Sequence, residues 1–156
     1  MIKIAILCCG NIKNELSCPA TGCLRSFNEK TGTFERYKDD TETYLVGFST
    51  CSGCPTLLAP EKIIKKIKPL VVMSKAEKIH LSTCMAEICP FVNKYISAIN
   101  AAYPDVEVIL GTDPFPDQHL ETMRKAMFEE LLTNHNPDIS EEYLKITQSA
   151  EYKKVL

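Results

Sequence analysis

A chain of 156 residues with 45% hydrophobic content is long enough to bury one core, and its 18 basic and 20 acidic side chains leave a formal charge of −2. That balance gives no electrostatic footprint for nucleic acid or anionic lipid. No stretch approaches the roughly 20 apolar residues that span a bilayer.

Residues 2–7 form a β-branched run that suits a buried strand. The run is too short for a secretory apolar core and lacks a small-residue cleavage site, so the chain is expected in the cytoplasm. Residues 14–19 are loop-like. A helix is expected over 21–30, with Leu24 and Phe27 on its apolar face and a stop at Thr31-Gly32. Residues 33–43 are polar and read as irregular or as an edge. A second strand covers 44–49. Pro60 can open a helix, whose buried face is Ile63, Ile64 and Ile67, opposite a solvated face of Lys62, Lys65, Lys66 and Lys68. Pro69 ends or kinks that helix, and 70–73 is read as further helix, because 78–82 makes the better third strand. Pro90 starts the next helix, with Val92, Tyr95, Ile96 and Ile99 on one face. Residues 106–110 form the fourth strand, stopped by Gly111. Pro116 opens a last helix carrying Leu120, Met123, Met127 and Leu131 at helical period.

Alternating strands and helices with short connections imply an α/β fold. The expectation is a small four-stranded parallel sheet of order 2-1-3-4 with helices on both faces, a flavodoxin-like three-layer sandwich. Residues 1–135 make the domain, and 136–156 a tail with one short helix over 141–146.

All eight cysteines lie in the first 89 residues, as the pairs Cys8/Cys9, Cys18/Cys23, Cys51/Cys54 and Cys84/Cys89. Three pairs directly follow predicted strands, and the fourth lies in the loop after the first. In a parallel sheet the loops after the strands share one edge, where ligands bind. Thiols from four stretches of chain should therefore meet. In a reducing compartment, clustered cysteines are more often metal ligands or catalytic groups than disulfides. Cysteine is about 5% of the chain, below the ~8–10% of disulfide scaffolds.

Cys51-Ser52-Gly53-Cys54 is the most specific element, since two intervening residues let both thiolates bind one ion while Gly53 permits the turn. Cys84 and Cys89 supply a second pair, and Cys18 and Cys23 repeat their spacing. The first-choice metal ligands are Cys51, Cys54, Cys84 and Cys89, followed by Cys8, Cys18 and Cys23. Cys9 should point away from Cys8 and serve as core. Four thiolates suit Zn2+, with an iron–sulfur cluster as the alternative. His80 reads as a satisfied core histidine, and His119 and His135 as surface. Asp113, Glu87 and His80 are weak acid–base candidates, so no catalytic residue is assigned. A metal ion is expected as a partner, nucleic acid and membrane are not, and the sequence does not identify protein partners.

The pattern resembles the CGGC-domain family, described as metal-binding proteins largely of anaerobic bacteria and archaea. The similarity is carried by the strand entering Cys8, by CPATGCLRSFNEKTGTF from Cys18, by VGFSTCSGCP from Val46 and by IHLSTC from Ile79. Cys89-Pro90 and GTDPFP from Gly111 complete it. The resemblance implies a cysteine-rich metal site without a settled activity. Two departures stand out: Ser52 replaces a glycine of the family's name motif, and Asp113 stands where many members carry histidine.

Two enzyme classes compete with a metal-binding reading. A thiol–disulfide oxidoreductase could use Cys51 and Cys54 as a redox CxxC pair. Leu7-Cys8-Cys9-Gly10-Asn11-Ile12 also resembles the start of the phosphate loop of low-molecular-weight phosphatases and arsenate reductases. That loop needs an arginine six residues after its nucleophile, a position held here by Asn14, so the phosphate cannot be clamped bidentately. A closed zinc site with a purely structural role is the noncatalytic reading.

Overall fold

The computed structural model describes residues 1–40, 42–54 and 56–133 of the chain. Four strands, β1 (Ile2–Cys8), β2 (Thr43–Thr50), β3 (Lys78–Leu81) and β4 (Glu107–Leu110), form one parallel sheet in the order β2-β1-β3-β4. Around it lie α1 (Gly10–Asn14), α2 (Thr21–Glu29), a 3-10 helix (Gly32–Tyr37), α3 (Ala59–Val72), α4 (Thr83–Ile88), α5 (Val92–Ala102) and α6 (Asp117–Thr133).

The period of two along β1 and β3 divides the core into two layers. Ala5, Leu7, Ile79 and Leu81 pack with Ile63, Ile67 and Leu70 of α3 and with Tyr95 and Ile99 of α5. Ile4 and Ile6 face the other way, against Phe27 of α2 and against Phe34 and Tyr37 of the 3-10 helix. This is a three-layer α/β sandwich with the layout and strand order expected from the sequence. No helix among the described residues is long and apolar enough to cross a membrane.

Several local expectations are corrected. Residues 33–43 are not wholly irregular: the 3-10 helix buries Phe34 to 0% and Tyr37 to 2% exposure. Thr83–Ile88 forms α4, a helix not expected from the sequence, and α5 starts at Val92, two residues beyond Pro90. Gly10–Asn14 is a short helix where none was expected. Leu24 is exposed, and α2 instead buries Gly22, Cys23, Ser26 and Phe27. His119 is buried at 4% exposure, its ring edge-on to Phe115, not on the surface. α3 runs through Pro69 to Val72, since buried Ile67 and Leu70 hold that turn against the core while the proline faces solvent. His135 and the short helix expected at 141–146 lie outside the described residues.

Candidate thiol site at the carboxyl edge of the sheet

The strand register sets the geometry. Cys8 on β1 lies opposite Thr50 on β2. The ladder continues one step further, because the Cys51 N–H donates to the Cys8 carbonyl at 2.9 Å. Cys9 and Cys51 thereby leave adjacent strands side by side. On the other flank, Ser82 N–H donates to Leu7 O at 2.9 Å and Gly111 N–H to Leu81 O at 2.7 Å, which brings Cys84 and Asp113 to the same edge.

Cys51 is the centre of the first group of thiols. The residue is buried, 6% exposed, and its Sγ accepts the Gly10 N–H at 3.1 Å. The neighbouring Cys9 thiol comes first among the causes that hold the Cys51 thiol below its ordinary range, opposed by burial and assisted by the Gly10 and Gly53 N–H groups. Cys9 is pushed far up by the same interaction and by burial. A Cβ at Gly10 would stand 2.8 Å from Cys51 O and 3.0 Å from Gly53 N, so no other residue fits there unshifted.

Asn11 is a functional residue that sequence reasoning missed. Its Nδ2 donates to Cys54 O at 3.0 Å and its Oδ1 accepts the Cys54 N–H at 2.9 Å, a two-point clamp on the CxxC loop. Gly53 runs beneath the clamp at φ +81°, a conformation that favours glycine. Cys54 itself is half-buried, its thiol raised by burial and then by the charge of Cys51. Burial raises Cys89 to about 11, with the charges of Cys54 and Cys51 adding to the shift. Tyr95 is buried beside this group: its hydroxyl is pushed up by burial and then by Cys89, Cys54, Cys51 and Cys9.

A second group lies toward β4. Cys18, Cys23, Cys84 and Asp113 line a cavity of about 30 Å³. That is room for a water or an ion, and too little for an organic substrate. Cys23 Sγ is 3.3 Å from Thr112 Oγ1 and 3.7 Å from Asp113 Oδ1, while the Thr112 hydroxyl donates to Asp113 Oδ1 at 2.7 Å. Burial raises the Asp113 carboxyl and, more strongly, the Cys23 thiol, which the Asp113 charge raises further. Cys84 Sγ is 3.0 Å from Ser82 Oγ, and its thiol is raised by burial to about 11. Cys18 Sγ accepts the Ala20 N–H at 3.4 Å. Cys8 stands between the groups, raised to about 12 by burial first and then by Cys84 and Cys18.

The seven candidate ligands thus share one edge: Cys51, Cys54 and Cys89 lie with Cys9, Cys84, Cys18 and Cys23 with Asp113, and Cys8 between the two groups. Among the described residues, no three Cys, His, Asp or Glu side chains are disposed so that they could hold a metal ion. His80 belongs to neither group. It is fully buried on the opposite sheet face, stacked on Phe34 at 4.4 Å, with Nε2 2.9 Å from the Tyr37 hydroxyl and Nδ1 3.0 Å from Gly111 O.

A model of the CGGC domain matches residues 3–113. An uncharacterized protein of Methanocaldococcus jannaschii is 38% identical over 98 residues, which cover 59% of this chain and 70% of that protein. No solved structure matches the chain. But for Ile2, the matched span contains the four strands of the described residues, and it holds all eight cysteines and the Asn11 clamp; with it the chain belongs to the CGGC domain family.

Proposed function

We propose that the chain is a cytoplasmic metal-binding protein that uses the thiols at the carboxyl edge of its sheet, zinc being the first choice and an iron–sulfur cluster the second. Cys51, Cys54, Cys84 and Cys89 lead as ligands, with Cys8, Cys18 and Cys23 in reserve. One observation carries this reading: the strand register and the loops after the strands bring thiols from four stretches of sequence to that one edge. Crowded thiols give up their protons to a soft cation, whose charge relieves the repulsion among the resulting thiolates. The donor chemistry fits zinc or iron. Preassembly does not, since no three donors among the described residues are disposed to hold a metal, so loading must move at least one of them.

Anaerobic purification with metal analysis and a visible spectrum tests the proposal. Stoichiometric zinc in a colourless protein supports the first choice, and iron with broad visible charge-transfer absorbance supports the cluster. Failure to take up either metal after reduction and reconstitution rejects both.

A second reading is thiol–disulfide exchange with Cys51 as the attacking sulfur. It is favoured by the thiolate character that Gly10, Gly53 and Cys9 confer on Cys51 without any metal. The CxxC loop does not open a helix here, since α3 begins five residues after Cys54, so this stabilisation comes from local N–H donors and not from a helix terminus. Metal-free protein should exchange with a small aromatic disulfide, and Cys51→Ser should abolish that activity. Unchanged exchange in Cys51→Ser would reject the reading.

A further inference from the structure

We propose that Cys9 and Cys51 are a redox pair, oxidised by a hydroperoxide to a disulfide between β1 and β2 in which Cys51 reacts first and Cys9 resolves. The inference goes beyond metal binding and does not depend on it. It assigns a role to Cys9, a residue that its position on the strand marks as plain core.

The geometry favours Cys9 over Cys54 as the partner. Cys9 and Cys51 sit one step past the Cys8–Thr50 pair in a parallel ladder whose last bond, Cys51 N–H to Cys8 O, is 2.9 Å. Adjacent strands lie roughly 4.8 Å apart, inside the Cα separation of ~4.4–6.8 Å that a disulfide spans. Cys9 and Cys51 also belong to the same core cluster, on one face of the sheet, and Cys9 is the neighbour that acts most strongly on the Cys51 thiol. Cys54, by contrast, has its N–H and carbonyl both held by Asn11, which fixes its backbone. The Gly10 N–H, aimed at Cys51 Sγ at 3.1 Å, stabilises negative charge on that sulfur. Cys51 and Cys9 are both buried, so an oxidant that reaches them must be small.

The chemistry balances in two steps. The Cys51 thiolate attacks one peroxide oxygen: an S–O bond forms, the O–O bond breaks and hydroxide leaves. The peroxide has gained two electrons, and the sulfur is a sulfenic acid. Cys9 sulfur then attacks Cys51 sulfur: the S–S bond forms, the S–O bond breaks, and the departing hydroxide takes up the Cys9 proton as water. In sum, a thiolate, a thiol and hydrogen peroxide yield the disulfide, one water and one hydroxide. A dithiol reductant returns both thiols by exchange.

The test uses the full chain, chelator-treated under reducing conditions and then exposed to one equivalent of hydrogen peroxide. Remaining thiols are alkylated, and the digest is mapped by fragmentation mass spectrometry. The expected major product joins Cys9 to Cys51. In Cys9→Ser the link should be lost, and dimedone should label Cys51 as a trapped sulfenic acid. A bond mapped to Cys51–Cys54, or oxidation of other thiols while this pair stays reduced, would overturn the proposal. Mapping of the unsubstituted chain decides the question even if Cys9→Ser fails to fold. Because the protein is metal-free throughout, the outcome is separate from that of the metal analysis.

Discussion

Cys51 is held below its ordinary thiol range by neighbours that a single substitution can displace. Gly10 is the position to change, since an added Cβ would meet Cys51 O at 2.8 Å and Gly53 N at 3.0 Å, both of them backbone. Gly10→Ala should push β1 and the CxxC loop apart, costing about 1–3 kcal/mol as an overpacked contact. It should also return the Cys51 thiol toward its ordinary range, read as an upward shift in the pH midpoint of iodoacetamide labelling at Cys51. Unaltered labelling would mean that the Gly10 N–H contributes nothing.

His80 makes an independent prediction on the other sheet face. Burial lowers its pKa from 6.5 to about 4, so the unfolded chain takes up a proton first as the medium acidifies. Its contribution is full above pH 6.5 and is lost as pH falls toward 4, a loss of at most about 3 kcal/mol. Urea denaturation should show His80→Asn less stable at neutral pH, with the gap to the unsubstituted protein closing in that acid window.

These residues divide by what sequence can reveal. Cys51 and Cys54 are legible because a CxxC is a local pattern, and His80 reads as a core histidine from its place in a strand. Asn11 and the partnership of Cys9 with Cys51 are not legible. Both contacts join residues about 42 positions apart and exist only through the β1–β2 register.

At the scale of elements, β1, β2, β3 and β4 announce themselves by apolar runs with turn residues after them, and their alternation with helices yields the parallel order. The elements misread are those without a 3.6-residue signal. α4 has six residues, too few for a period to emerge. The 3-10 helix puts its two core aromatics at Phe34 and Tyr37, three apart, which is the period of that helix and is easily lost among charged neighbours.

That brief element is nevertheless the wall of the second core layer. The Phe34 ring meets Phe27 edge-on at 5.5 Å and stacks on His80. Phe34→Ala should therefore cost about 3–5 kcal/mol in chemical denaturation, whereas Leu57→Ala, at a residue 84% exposed, should stay within about 0.5 kcal/mol. Equal effects would mean that the 3-10 helix does not close the core.

For the molecule as a whole, the proposed metal site couples loading to protons. Cys84 and Cys89 sit at about 11, and Cys54 is raised as well, so all three are thiols at neutral pH. Cys51 is held on the thiolate side. Metal taken up by these four should then release about three protons, and apparent affinity should rise about a thousandfold per pH unit near neutrality. Below the folded-state pKa of Cys51 the fourth proton joins, and the slope steepens. Chelator competition with zinc between pH 6 and 8, alongside dye-detected proton release, measures both quantities. A slope near one would place the ion on a single raised thiol, which is incompatible with a tetrathiolate. A slope of four throughout would show that Cys51 is an ordinary thiol before metal arrives, and that the Gly10, Gly53 and Cys9 contacts do not hold its charge.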